Sequence, residues 1–126
     1  MINTEQIDVQ DVVYALSTSP GFAQDGVCFA ARASGLYRSE DGGLTWMDAY
    51  HSLELRQALP TAAVAVSPAF LQDRAVFAGV PGGILRSSDG GHTWSVVKLQ
   101  SPPPFVLDLA LSPDFARDGV ALAATA

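Results

Sequence analysis

Ser39-Glu-Asp-Gly-Gly-Leu-Thr-Trp46 returns 48 residues later as Ser87-Ser-Asp-Gly-Gly-His-Thr-Trp94, and an arginine, Arg38 or Arg86, precedes each copy. A second motif occurs three times, as Ser19-Pro-Gly-Phe-Ala-Gln-Asp25, Ser67-Pro-Ala-Phe-Leu-Gln-Asp73 and Ser112-Pro-Asp-Phe-Ala-Arg-Asp118, at spacings of 48 and 45 residues. Two unrelated motifs sharing one period define a repeat. A period in the forties fits a four-stranded propeller blade or a helical pair.

The segments between the motifs decide for strands. Val12-Val-Tyr-Ala-Leu16, Ala62-Ala-Val-Ala-Val66 and Phe105-Val-Leu-Asp-Leu-Ala-Leu111 precede the Ser-Pro motif. Val27-Cys-Phe-Ala-Ala31, Ala75-Val-Phe-Ala-Gly79 and Val120-Ala-Leu-Ala-Ala124 follow it. Apolar runs this short, bounded by Pro, Gly and Asp, read as buried strands. Gly35-Leu-Tyr-Arg38 and Gly83-Ile-Leu-Arg86 predict third strands, and Thr45-Trp-Met-Asp48 and Thr93-Trp-Ser-Val-Val97 fourth strands. Asp-Gly-Gly joins the third strand to the fourth, its glycines supplying the positive φ of a tight hairpin. The expected fold is an all-β, antiparallel β-propeller segment over residues 1–126, with blades at about 11–48 and 62–97 and a half blade at about 105–126. Residues 1–8 align with a fourth strand. Closed propellers have about four to eight blades, so about two and a half call for self-association or for further blades of a longer chain.

The pattern Ser-x-Asp-x-Gly-x-Thr-Trp resembles the Asp-box, or BNR repeat, of sialidases, xyloglucanases, sortilin-type receptors and photosystem II assembly factors. Both copies match at each defined position: Ser39, Asp41, Gly43, Thr45 and Trp46, and Ser87, Asp89, Gly91, Thr93 and Trp94. The resemblance implies that the box is a structural hairpin on the outer blade edge, away from any active site. The residues support that role. Asp and Ser side chains bond to their own turn, and a tryptophan buries a large ring between blades. No sialidase site can be assembled from the chain. It lacks an Arg-Ile-Pro motif, and of Arg32, Arg38, Arg56, Arg74, Arg86 and Arg117 only Arg32 and Arg56 fall on the expected ligand face.

That face carries the connections from second to third strand and from one blade to the next. The connection after Trp46 places Tyr50, His51, Glu54 and Arg56 together, and loops on a rigid scaffold are where binding concentrates. With Arg32 these are the candidate ligand contacts, for a carbohydrate or protein ligand. Asp48 and Glu54 are the acidic residues near this face that a glycoside hydrolase would need as a pair. His51 and His92 are expected on opposite faces, which argues against a metal site. Cys28 is expected as a packed thiol. Asp25, Asp73, Asp114 and Asp118 lack the alternating spacing of a calcium loop, and no phosphate-binding glycine loop occurs, so neither metal nor cofactor is expected.

Composition narrows the partners. Seven Lys and Arg face thirteen Asp and Glu, for a net charge of −6. No basic cluster favours nucleic acid or an anionic membrane. No apolar run nears the roughly 18 residues of a membrane span, and the N-terminal residues lack the pattern of a signal peptide. One cysteine excludes an internal disulfide. The families resembled are often extracellular or periplasmic, and no compartment follows from the sequence itself. The expected role is a non-catalytic binding or scaffold module in a larger or oligomeric propeller. The alternatives are a fragment of a sialidase-like or xyloglucanase-like hydrolase without its catalytic residues, and a self-assembling protomer.

Overall fold

A computed structural model describes residues 11–99 and 105–125. It contains three antiparallel sheets. The first has the order β1 (Val13–Thr18), β2 (Cys28–Arg32), β3 (Gly35–Ser39) and β4 (Met47–Asp48). The second repeats it with β5 (Ala63–Val66), β6 (Val76–Val80), β7 (Gly83–Ser87) and β8 (Ser95–Val96). The third pairs β9 (Val106–Leu111) with β10 (Ala121–Thr125). The fold is therefore two propeller blades and the inner half of a third. The stretch proposed for a preceding fourth strand, residues 1–8, lies outside the described residues, as does most of the loop ending at Pro104.

The fourth strands are shorter than the sequence predicts. Thr45 and Thr93 donate their backbone N–H groups to Asp41 and Asp89 at 2.9 Å in both turns. Those groups are lost to the strand ladder, and only two residues remain paired in each of β4 and β8.

The Ser-Pro loops also differ from expectation. Each contains one helical turn, α1 (Phe22–Asp25), α2 (Phe70–Asp73) or α3 (Phe115–Asp118). A serine–aspartate clasp closes each loop. Ser19 Oγ donates to Asp25 Oδ2 at 2.7 Å and accepts from the Gly21 N–H, while Asp25 Oδ1 accepts from the Val27 N–H. Ser67 with Asp73 and Ser112 with Asp118 repeat the arrangement. The clasp gives both oxygens of Asp25, Asp73 and Asp118 partners within their own loops. The helical turns end in left-handed residues Gly26, Arg74 and Gly119. At this position Arg74 holds φ 55° despite its Cβ.

Two apolar clusters hold the blades together. Phe29, Leu36, Tyr50, Phe70, Val76 and Trp94 lie between the first and second. Ala63, Phe77, Val106, Leu109 and Phe115 lie between the second and third, with the Phe77 and Phe115 rings edge to face at 5.6 Å. Small residues set the approach of the inner strands. A Cβ on Gly79 would lie 2.6 Å from Val106 Cγ1 and 3.2 Å from Ala63 Cβ. Gly79→Ala should destabilise by about 1–3 kcal/mol through overpacking, and urea unfolding measures it. At the two ends of the stack, Tyr14 and Leu16 on β1 and Leu107 and Leu122 on the third sheet remain exposed, because no further blade covers them among the described residues.

Candidate functional site

The repeated turn is closed by its own side chains. Ser39 Oγ donates to Asp41 Oδ1 at 2.8 Å and accepts from the Gly43 N–H at 2.8 Å. Asp41 Oδ2 accepts from Thr45 Oγ1 at 2.5 Å. Ser87, Asp89, Gly91 and Thr93 reproduce these bonds, and Asp89 Oδ1 also accepts from the His92 N–H. Gly43 and Gly91 adopt φ of 92° and 95°, a region that strains any residue with a Cβ.

These donors favour the charged carboxylates. The Thr45 hydroxyl, then its N–H and the Ser39 hydroxyl, lower the Asp41 pKa from 3.8 to about 2. Partial desolvation opposes the shift at Asp89, where bonds from Thr93, Ser87 and His92 together outweigh it and lower the pKa. A carboxylate with a lowered folded-state pKa contributes stability above its unfolded value, and that contribution fades as pH falls through the folded value. For Asp41 it is complete above about pH 4 and declines toward pH 2. Asp41→Asn should flatten the dependence of the urea midpoint on pH across this window.

The connection from 47 to 61 builds a cleft of about 450 Å³ with the β2–β3 turn. Its lining includes Ser34, Asp48, His51, Glu54 and Arg56. A 3-10 turn, His51–Leu53, turns the chain, and Glu54 follows it at φ 50°. Asp48 Oδ1 accepts from the Tyr50 N–H at 2.8 Å just before this turn. His51, Glu54 and Arg56 are exposed. The cleft thus brings together one imidazole, one guanidinium and two carboxylates.

Tyr50 departs from its expected role. It forms part of the cleft wall but is only 2% exposed. Its hydroxyl lies 2.8 Å from Thr61 Oγ1, and its ring meets Trp94 edge to face at 5.6 Å. Burial pushes the phenol pKa up, against the opposing hydrogen bond from Thr61. Tyr50 therefore joins the blades rather than offering a hydroxyl to solvent.

Arg32 stands apart from the cleft lining. Its Nε lies 3.2 Å from Asp11 Oδ2, without the alignment of a hydrogen bond, and its guanidinium stacks on Tyr37. Asp11 also receives the Ser34 N–H and hydroxyl, so this cluster braces the β2–β3 turn.

The histidines correct a second expectation. His51 and His92 line one cleft of about 470 Å³ between the blades, together with Arg38, Met47, Asp48 and Ser52. The sequence placed them on opposite faces because it did not show how closely the second box turn approaches the first blade. Among the described residues, no group of three or more His, Cys, Asp or Glu is placed to hold a metal ion. Cys28 is buried, and desolvation raises its thiol pKa.

The two box tryptophans also differ. Trp94 is 8% exposed and Trp46 is 37% exposed. Trp94 packs against the first blade and donates its indole N–H to the Ala49 carbonyl at 2.9 Å. Trp46 is more than a third exposed, so its expected burial between blades is not met within the described residues. The serine–aspartate clasps went unread in the sequence, although the constant six-residue spacing from serine to aspartate carried the signal.

No protein-family model and no curated protein matches the chain. Among solved structures, the GH74 xyloglucanase from Xanthomonas campestris is similar, with a TM-score of 0.69 and 16% sequence identity. The similarity covers 95% of this chain and 20% of the xyloglucanase chain. At this identity the likeness establishes the propeller fold alone, over one fifth of the neighbour's length.

Proposed function

We propose that the chain is a segment of an Asp-box β-propeller that acts as a non-catalytic binding or scaffold module. Its ligand contacts are His51, Glu54 and Arg56, with Arg32 and Tyr50 as supports behind them. The observation that carries this reading is the division of labour among the polar groups. The box and clasp aspartates spend their oxygens on their own loops. The 47–61 connection instead leaves His51, Glu54 and Arg56 exposed around one cleft. A guanidinium, a carboxylate and an imidazole together suit a hydroxyl-rich ligand such as a soluble glycan, or a polar loop of another protein. The test is a glycan panel with calorimetric follow-up. Arg56→Ala and Glu54→Gln should each weaken a bound glycan by about tenfold, one charge-assisted hydrogen bond's worth, with unchanged urea midpoints. Absence of binding across the panel would remove the carbohydrate reading.

One observation favours a second reading. Asp48 and Glu54 line the same cleft, and a carboxylate pair is the minimum for glycoside hydrolysis. Asp48 already caps the Tyr50 N–H, which weighs against a free acid–base role. Hydrolysis of a chromogenic β-glucan or sialoside, lost in Glu54→Gln, would replace the binding reading with this one.

A further inference from the structure

The repeat acts as a ruler for what each blade receives from its neighbours. Three of the points at which the first blade takes the second involve the box turn. Arg38 Nε donates to the Gly90 carbonyl at 2.8 Å, Phe29 lies beneath Gly91, and the Ala49 carbonyl accepts the Trp94 indole N–H. Moved on by one period, these positions are Arg86, Phe77 and Val97. The alignment is sound, because the Val97 N–H bonds to Ile84 O as the Ala49 N–H bonds to Leu36 O. Arg86 is exposed and lies over Phe77.

The third sheet offers the matching half. β2 pairs with β3 from Cys28↔Ser39 to Arg32↔Gly35, and β6 with β7 from Val76↔Ser87 to Val80↔Gly83. Among the described residues the equivalent strand, β10, pairs with β9 alone, and Ala121 to Thr125 are exposed. The Gly26 carbonyl accepts from Gly42 and the Arg74 carbonyl from Gly90. Gly119 holds this place in the third sheet. A Cβ on Gly26 would lie 2.8 Å from Glu40 O, whereas one on Gly119 would meet none of the described residues within 4 Å. The groups converge on one cleft of about 640 Å³, lined in part by Phe77, Arg86, Val97, Phe115, Gly119 and Ala121.

We propose that this cleft is a docking site for a β-hairpin of the chain's own repeat type, Gly-x-x-Arg-Ser-x-Asp-Gly-Gly-x-Thr-Trp. The incoming strand pairs antiparallel with β10, its serine opposite Ala121 and its first glycine opposite Thr125. Its turn glycine donates to the Gly119 carbonyl, a turn carbonyl accepts from Arg86 Nε, and its indole N–H reaches the Val97 carbonyl. Backbone pairing supplies affinity and the tryptophan and arginine contacts supply selectivity, as in strand addition to a sheet edge. A whole second copy fits poorly. Its β3 and β7 are already paired on both edges, so neither has a free edge for β10.

The test appends the sequence of Gly82–Val97 directly after Ala126, which places the hairpin in register at high effective concentration. The expected result is a higher Tm and slowed amide exchange across Ala121–Thr125. Replacing the tryptophan of the appended hairpin by alanine should reverse both, as should Arg86→Ala. In parallel, a labelled synthetic peptide of residues 83–97 should bind the 126-residue chain at one equivalent. Binding to Arg86→Ala should be about tenfold weaker, as for a lost hydrogen bond to a charged donor. An unchanged Tm and unchanged β10 exchange in the extended chain would overturn the proposal. So would self-association through β10 that the extension fails to relieve, which would make a second copy the occupant.

Discussion

Trp94→Ala should lower the unfolding free energy by about 3–5 kcal/mol, the range for truncating a buried aromatic. The ring fills the space between the two complete blades, against Tyr50 at 5.6 Å, and its N–H reaches the Ala49 carbonyl at 2.9 Å. Truncation leaves a cavity and strands that carbonyl. Trp46→Ala is the internal control. The same residue at the same place in the repeat is 37% exposed, so its removal should cost less, about 1–3 kcal/mol. Chemical denaturation of both variants measures the difference. Equal losses would mean that the tryptophan stabilises its own hairpin rather than the contact between blades.

Gly91→Ala should be the second severe lesion, at about 2–4 kcal/mol from backbone strain and overpacking together. Its φ is 95°, and a Cβ there would lie 2.5 Å from Phe29 Cε1. Gly43→Ala separates the two causes. Gly43 has a φ of 92°, but its Cβ would sit 3.4 Å from the nearest atom of Trp46. It should show the strain without the clash. The gap between the two variants then reports how tightly the second turn is pressed onto the first blade. Matching losses would show that Phe29 moves aside freely.

Much of this architecture is legible in the sequence because it is written twice. The period locates the blades, and the apolar runs locate ten strands, most within one or two residues of their observed ends. The box turns follow from their composition, since Ser, Asp, Gly and Thr each supply a local bond or a backbone conformation. What escapes is what depends on neighbours. Tyr50 reads as a polar aromatic in a loop, and only the arrival of Trp94 from the next blade buries it. His92 reads as a free turn residue, and only the same approach brings it to the cleft of His51. Trp46 and Trp94 close the same motif and differ in burial because Trp94 has a preceding blade and Trp46 does not among the described residues. The one-turn helices were hidden by the Ser-Pro start of each loop, which reads as a turn.

Two of the anchors between the first two blades end on main chain. Arg38 reaches the Gly90 carbonyl and Trp94 the Ala49 carbonyl. A peptide carbonyl is present whatever side chain its residue bears. At these two points a blade makes little demand on its neighbour's side chains, whereas beneath Phe29 it requires the glycine at 91. A duplicated or exchanged unit arrives with both plug and socket in place, while its loops remain free to diversify. This tolerance gives the array a physical route to lengthening by copying whole units.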